Sequence, residues 1–246
     1  MIVNSHVIIS GGGTGVGAAT AHVFDKAGAK VTILGRTEES LQAQGLSYQV
    51  CDVTDSSAVK AAFEAARAEH GPISTVVANA GASDSVPFAK MTTESLSNML
   101  DVNIVGVFNC LQAALPDMKV AGRGQMIVIA STAGLKGYPY VAGYCAAKHG
   151  VVGLTRALSV ELAPLGITVN AICPGFTETP MLDRSIKNIS AMTGMSAEDA
   201  VKSLQRSNPQ KRFIQVDEIA GTALWLCSES ARSVNGHTLN LNGGEL

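Results

Sequence analysis

Val7-Ile8-Ile9-Ser10-Gly11-Gly12-Gly13-Thr14-Gly15-Val16-Gly17 joins an apolar run to a cluster of glycines, and Ala18-Ala19-Thr20-Ala21-His22-Val23-Phe24 follows with helical spacing. A strand, a tight glycine turn and a helix in that order bring backbone close to a pyrophosphate. They also aim unpaired N–H groups and the positive end of a helix dipole at it. A glycine-rich turn alone is a weak signal; the strand before it and the helix after it make the nucleotide reading.

The same alternation runs almost to the end of the chain. Val31-Thr32-Ile33-Leu34, Ser74-Thr75-Val76-Val77-Ala78, Met126-Ile127-Val128-Ile129-Ala130 and Ile167-Thr168-Val169-Asn170-Ala171-Ile172 read as strands buried on both faces. Between them, Thr54-Asp55 caps a helix expected over 58–69, and Thr92 starts one that runs towards Pro116. Val216-Asp217-Glu218 opens a final helix through Leu226, with two acids in its first turn. Strands alternating with helices imply a parallel sheet with right-handed crossovers, an α/β doubly wound Rossmann fold. Residues 1–246 therefore read as one NAD(P)-binding domain. One segment breaks the rhythm: 181–212 follows a strand but holds two short helical patterns, one starting at Ser196-Ala197-Glu198-Asp199. An excursion of that length beyond the carboxyl end of a strand is expected to be a helical substrate lid.

Bulk properties exclude several classes. A net charge of −2 offers no electrostatic footprint for nucleic acid or an anionic membrane. No 18-residue apolar run is evident, and Met1-Ile2-Val3-Asn4-Ser5-His6 enters a strand without a basic segment and hydrophobic core. Neither a signal peptide nor a membrane span is expected. The five cysteines (Cys51, Cys110, Cys145, Cys173, Cys227) and five histidines are scattered without metal-ligand spacing. Reduced thiols, a cytoplasmic setting and no metal site are the corresponding expectations.

Cofactor choice is decided near the end of the second strand, where an acid would take the ribose 2′-hydroxyl of NAD and a base the 2′-phosphate of NADP. The chain has Leu34-Gly35-Arg36-Thr37 there, an arginine able to grip phosphate and no acid. Glu38 and Glu39 sit where a helix begins and serve its dipole. NADP(H) is favoured, with NAD(H) possible.

The chemistry is read from Tyr144-Cys145-Ala146-Ala147-Lys148, with Ser131 thirteen residues before Tyr144. Tyr144 and Lys148 share a helix face one turn apart. A free phenol, with a pKa of about 10, is a poor acid–base catalyst at neutral pH. Moving it to roughly 7 needs about 4 kcal/mol, which an adjacent ammonium and a positive nicotinamide ring could supply. Ser131 follows a strand directly, at the carboxyl end where this fold binds ligands. Cys145 reads as packing, and Tyr138 and Tyr140 as pocket-wall aromatics, since neither has a lysine one turn later.

These residues together resemble the short-chain dehydrogenase/reductase superfamily in its compact form, essentially end to end. Ser10-Gly11-Gly12-Gly13-Thr14-Gly15-Val16-Gly17 is similar to its cofactor motif, with serine replacing the leading threonine. Cys51-Asp52-Val53-Thr54 resembles the adenine-contacting stretch, and Ala78-Asn79-Ala80-Gly81 a shortened Asn-Asn-Ala-Gly. Asp101-Val102-Asn103 resembles the helix asparagine that holds a relay water. Pro174-Gly175-Phe176-Thr177-Glu178-Thr179 resembles the nicotinamide segment, and Leu239-Asn240-Leu241-Asn242-Gly243-Gly244 the closing strand.

The resemblance implies cofactor contacts from Gly11, Thr14, Gly15, Val16, Gly17, Arg36, Asp52, Val53, Asn79, Gly81, Tyr144, Lys148, Pro174, Gly175, Thr177 and Thr179. It implies hydride exchange between a nicotinamide and a carbonyl carbon. Tyr144 would move the proton, Lys148 would tune it and hold the ribose, Ser131 would hold the carbonyl oxygen and Asn103 would position a water. Retention of all four catalytic residues argues against a non-catalytic NADP sensor. It also implies a homotetramer whose long helices after Asp101 and Tyr144 pair between subunits.

The substrate is less legible. Met181, Met192 and Met195 in the lid could line a pocket, although a methionine stripe is more often core. Arg184, Lys187, Lys202, Arg206, Lys211 and Arg212 outnumber Asp183, Glu198 and Asp199 and could attract the phosphates of coenzyme A or acyl-carrier protein. A 3-oxoacyl thioester reductase, like the superfamily's β-ketoacyl reductases, is the first expectation. A secondary-alcohol or cyclic-ketone dehydrogenase is the second.

Overall fold

The computed structural model describes residues 2–246. Seven strands, β1 (His6–Ser10), β2 (Lys30–Gly35), β3 (Ser47–Val50), β4 (Ile73–Ala78), β5 (Gly124–Ile129), β6 (Ile167–Pro174) and β7 (Thr238–Leu241), form one sheet in the order β3-β2-β1-β4-β5-β6-β7. Every pairing is parallel. The order reverses between β1 and β4, which is where a doubly wound sheet opens a crevice at its carboxyl edge.

Successive strand residues face opposite layers, so the apolar runs feed two cores. Ile8, Leu34, Val76, Val128 and Val169 pack with Phe63 of α3 (Ser56–His70), Leu111 of α5 (Gly106–Ala121) and Val151 of α6 (Ala142–Leu162). Val7, Ile9, Ile33, Val77 and Ile127 pack with Phe24 of α1 (Gly15–Lys26) and Ile219 of α9 (Val216–Leu226). Each fully buried Ile or Phe contributes about 1.5–3 kcal/mol of transfer free energy, so the two layers fix the strand ends on which the site is built.

Three segments differ from expectation. The edge strand β3 carries Ser47, Tyr48 and Gln49 half-buried and Val50 exposed, so it has no apolar run to announce it. The helix after Thr92 begins as α4 (Thr93–Leu100), passes through a π-helical turn (Asp101–Val105) and continues as α5. It runs past Pro116 to Gly122, which adopts the left-handed cap. This continuous stretch is long and apolar enough to cross a membrane by length and composition. In the fold α5 packs on β4 and α3, and its buried Asn109 donates to the Val53 carbonyl at 2.8 Å. The segment 181–212 holds α7 (Pro180–Thr193) and α8 (Ala197–Gln205); Thr179 and Ser196 cap them through their hydroxyls, so the first starts one residue before the expected lid. A short α2 (Glu38–Gln42) begins at Glu38, and the first acids of α9 stand in its opening turn as expected.

Candidate active site

The nucleotide end is organised by β1 and β4. Ser10 Oγ accepts from the backbone N–H groups of Asn79 and Ala80, and Asn79 Nδ2 donates to the carbonyls of Ser10 and Gly11 at 3.0 and 3.2 Å. Asn79 thereby pins the glycine turn to the next strand. Gly11 and Gly15 both adopt positive φ. Gly17 must lack a side chain, because a Cβ there would stand 2.1 Å from the Gly11 carbonyl oxygen. Thr14 occupies the N-cap of α1 in extended backbone, and its hydroxyl makes no capping bond. Gly15 and Val16 start the helix, which leaves their end of the dipole facing the crevice.

The rim of this crevice carries the other expected contacts. Arg36 Nη1 lies 3.9 Å from Asp52 Oδ2, with the two side chains 73% and 43% exposed, so this cation keeps most of its solvent-facing surface. Asp52 Oδ1 accepts from Thr54 N–H and Oγ1, and these bonds hold the carboxyl below its ordinary range. Val53 is buried beside it. From the other side, Thr179 Cγ2 lies 3.4 Å from where a Cβ on Gly15 would project. Pro174 ends β6, Gly175 N–H donates to the Leu241 carbonyl, and Thr177 Oγ1 donates to the Gly175 carbonyl. Asn242 packs against Gly175, and its buried Nδ2 has no hydrogen-bond partner among the described residues. A glycine cradle at an open helix terminus, an exposed arginine and a buried unpartnered donor together fit a phosphorylated nicotinamide cofactor.

The chemical end is built on β5 and α6. Ser131 follows β5 closely and caps a short 3₁₀ turn (Thr132–Gly134), its Oγ accepting from Ala133 N–H at 3.1 Å. Gly134 lets that turn touch α6: a Cβ there would lie 2.6 Å from the Lys148 carbonyl oxygen. Lys148, only 4% exposed, donates from Nζ to the Ile129 carbonyl at 2.9 Å and stands 5.6 Å from the Tyr144 ring centroid. The Ser131 hydroxyl draws the pKa of the Tyr144 phenol downward, so hydroxyl, phenol and ammonium lie together at the carboxyl edge of the sheet. Asn103 is fully buried on the π-helical turn. Its Nδ2 donates to the carbonyls of Ala82 and Met99, and its Oδ1 accepts from Ala82 N–H, next to Gly81. Such turns recur at functional sites because they re-aim one side chain inside a helix.

The electrostatics differ from the expectation that Lys148 pulls the phenol towards neutrality. Burial pushes Tyr144 up to about 12, with the Ser131 bond drawing it partly back, and burial pushes Lys148 down to about 8. In the protein by itself desolvation outweighs the ammonium, which leaves the phenol fully protonated at neutral pH.

The family profile described as short chain dehydrogenase matches residues 5–190. The chain belongs to the short-chain dehydrogenase family. It is 38% identical over 251 residues to the monensin polyketide synthase putative ketoacyl reductase of Streptomyces virginiae, covering 96% of this chain and 95% of that one. Among solved structures, a single-residue variant of actinorhodin polyketide ketoreductase with NADPH superposes with a TM-score of 0.94 at 32% identity, over 100% and 99% of the two chains. Levodione reductase superposes equally well, with a TM-score of 0.94 at 33% identity over 100% and 98%. This short-chain dehydrogenase is an NAD(P)-dependent oxidoreductase acting between ketones and alcohols.

Several of the sequence readings change in the structure. Met192 and Met195 are 65% and 46% exposed, so the methionine stripe is not core. Two of the lid cations are paired with acids: Lys202 with Glu198, and Arg212 forking onto both oxygens of Glu218, which holds that carboxyl down at about 2. Tyr138 is more than a wall aromatic. Its hydroxyl stands 2.7 Å from both Thr132 Oγ1 and Glu245 Oε1, a tie to the C-terminal residues that no local spacing announces. Tyr140 is exposed, and Cys145 is buried as packing.

Proposed function

We propose that this short-chain dehydrogenase reduces a 3-oxoacyl thioester with NADPH, using Tyr144 as the acid. The observation that carries the reading is the convergence of Ser131, Tyr144 and Lys148 beside the glycine turn. Gly11, Thr14, Gly15, Val16 and Gly17 would hold the pyrophosphate and Arg36 the 2′-phosphate. Asp52 and Val53 would face the adenine, and Asn79, Gly81, Pro174, Gly175, Thr177 and Thr179 would line the nicotinamide half. When bound, the cofactor supplies the hydride to the carbonyl carbon or takes it from the alcohol.

The chain's own residues do the rest. Ser131 Oγ fixes the carbonyl oxygen against the phenol. Tyr144 gives its proton to that oxygen as alkoxide character develops, or removes it in the reverse direction. The Lys148 ammonium faces the phenolate so formed and stabilises it. Asn103 holds the β4 and α4 sides together, where a relay water would restore the proton. The likeness to ketoacyl reductases supports a carrier-borne substrate, as do the lid cations Arg184, Lys187 and Arg206, which have no acidic partner among the described residues. A secondary-alcohol or cyclic-ketone substrate is the second reading, supported by the equal likeness to levodione reductase.

The discriminating experiment compares NADPH oxidation with acetoacetyl-coenzyme A and with ethyl acetoacetate, the same ketone without the phosphate-bearing handle. A much higher kcat/KM for the thioester supports the carrier reading; equal or negligible thioester turnover favours the second. We also propose a homotetramer joined through the helices after Asp101 and Tyr144, on which Val105, Phe108 and Val160 stand exposed. The five free cysteines agree with a cytoplasmic setting.

A further inference from the structure

Glu245, near the end of the chain, reaches back to the segment that follows Ser131. Glu245 keeps only 3% of its side chain exposed, and its Oε1 lies 2.7 Å from Lys136 Nζ and 2.7 Å from the Tyr138 hydroxyl. A phenol has one hydrogen, so Tyr138 donates to the carboxylate and accepts from the Thr132 hydroxyl, also at 2.7 Å. The other carboxylate oxygen lies 3.4 Å from where a Cβ on Gly175 would project. Lys136 Nζ stands 4.9 Å over the Tyr138 ring, and that ring meets Phe176 edge-to-face at 6.0 Å.

These contacts lie between two segments already placed at the reaction centre. Thr132, Lys136 and Tyr138 follow Ser131 by one, five and seven residues, and Phe176 follows Gly175. The group of a substrate that extends beyond its carbonyl towards this wall meets an aromatic pair and a cation already engaged. An anionic substrate would find Lys136 occupied and the Glu245 carboxylate repelling it, while a neutral ester, thioester or ketone would meet no such penalty.

We infer that Glu245 determines substrate charge: by holding Lys136 and Tyr138 it makes the site select neutral ketones over ketones that bear a carboxylate. This inference rests on the ketoreductase reading of the site. Glu245 is here a specificity residue that acts through Lys136, not a proton-transfer group.

The test uses acetoacetate, an anion at neutral pH, against its neutral ethyl ester. Wild type should favour the ester. In Glu245→Gln, which keeps a hydrogen-bonding group but frees the Lys136 charge, the kcat/KM ratio of acetoacetate to ester should rise at least about 10-fold, chiefly through KM. That is the factor one charge-assisted hydrogen bond supplies. Adding Lys136→Met should cancel the gain. An unchanged ratio in Glu245→Gln, or a gain that survives in the double variant, overturns the inference. Melting with and without acetoacetate gives a readout free of turnover. The anion should raise the Tm of Glu245→Gln but not that of wild type or the double variant, and equal shifts in all three overturn the inference. If wild type reduces neither ketone the reductase reading fails by itself, and the melting series still decides the role of Glu245.

Discussion

A single 2′-phosphate separates NADP(H) from NAD(H), and in our reading Arg36 is the residue that meets it. Its guanidinium is 73% exposed and its nearest acid, Asp52, stands at 3.9 Å, a distance that engages it weakly. Arg36→Ala should therefore raise the Kd for NADPH about 10-fold, the value of one exposed charged hydrogen bond, and leave NADH nearly unchanged. Equal loss for both cofactors, measured by fluorescence titration, would remove the assignment. A second residue governs pH tolerance. His6 is buried in β1, with its ring nitrogens 2.8 Å from the Gly71 carbonyl and 3.0 Å from Thr32 Oγ1, and burial holds its pKa below the ordinary 6.5. The unfolded chain then takes up the proton first, so stability is full above about pH 6.5 and declines as pH falls through that value. Urea midpoints between pH 7.5 and 5 should fall for wild type and fall less steeply for His6→Gln. Parallel slopes would show that His6 contributes nothing to the acid limb.

At the scale of elements, catalytic geometry depends on how closely the 3₁₀ turn after Ser131 sits on α6. Gly134→Ala would place a methyl 2.6 Å from the Lys148 carbonyl oxygen, so the turn must lift away and carry Ser131 with it. We expect a folded protein with kcat down by about 10²-fold, since displacements near 1 Å cost that much, and NADPH affinity within about 2-fold of wild type. Full activity would mean that the turn has room the structure does not show. The glycine turn, the buried strands and the Tyr144–Lys148 pair one helical turn apart were legible because each rests on short-range periodicity, while Ser131 was picked out by the family resemblance. Strand β3 was not, because Ser47-Tyr48-Gln49-Val50 forms a half-exposed edge with no apolar run. The π-helical turn around Asn103 left no mark either: an extra residue in a helix is invisible to a pattern of three and four. The approach of Gly134 to Lys148 and the reach of Glu245 to Lys136 join residues far apart in sequence, so only the folded sheet reveals them.

For the whole molecule, the parallel sheet places every proposed chemical group at its carboxyl edge and leaves apolar side chains on the outer helices. Val105 and Phe108 are 38% and 42% exposed on the long helix, and Val160 is 77% exposed on α6. Burying them against a second copy would favour the proposed tetramer, so Phe108→Glu combined with Val160→Glu should shift the protein to smaller species by light scattering. An unchanged mass would place the interface elsewhere. In the proposed reaction Tyr144, grouped with Ser131 and Lys148, moves the proton. The most direct measurement is NADPH oxidation by Tyr144→Phe beside wild type with ethyl acetoacetate and acetoacetyl-coenzyme A, with NADPH binding titrated in both proteins. Tyr144→Phe should keep wild-type NADPH affinity and show a kcat lower by about 10²–10⁴-fold, the range general acid catalysis supplies. Wild-type turnover in Tyr144→Phe would contradict that proton-transfer role.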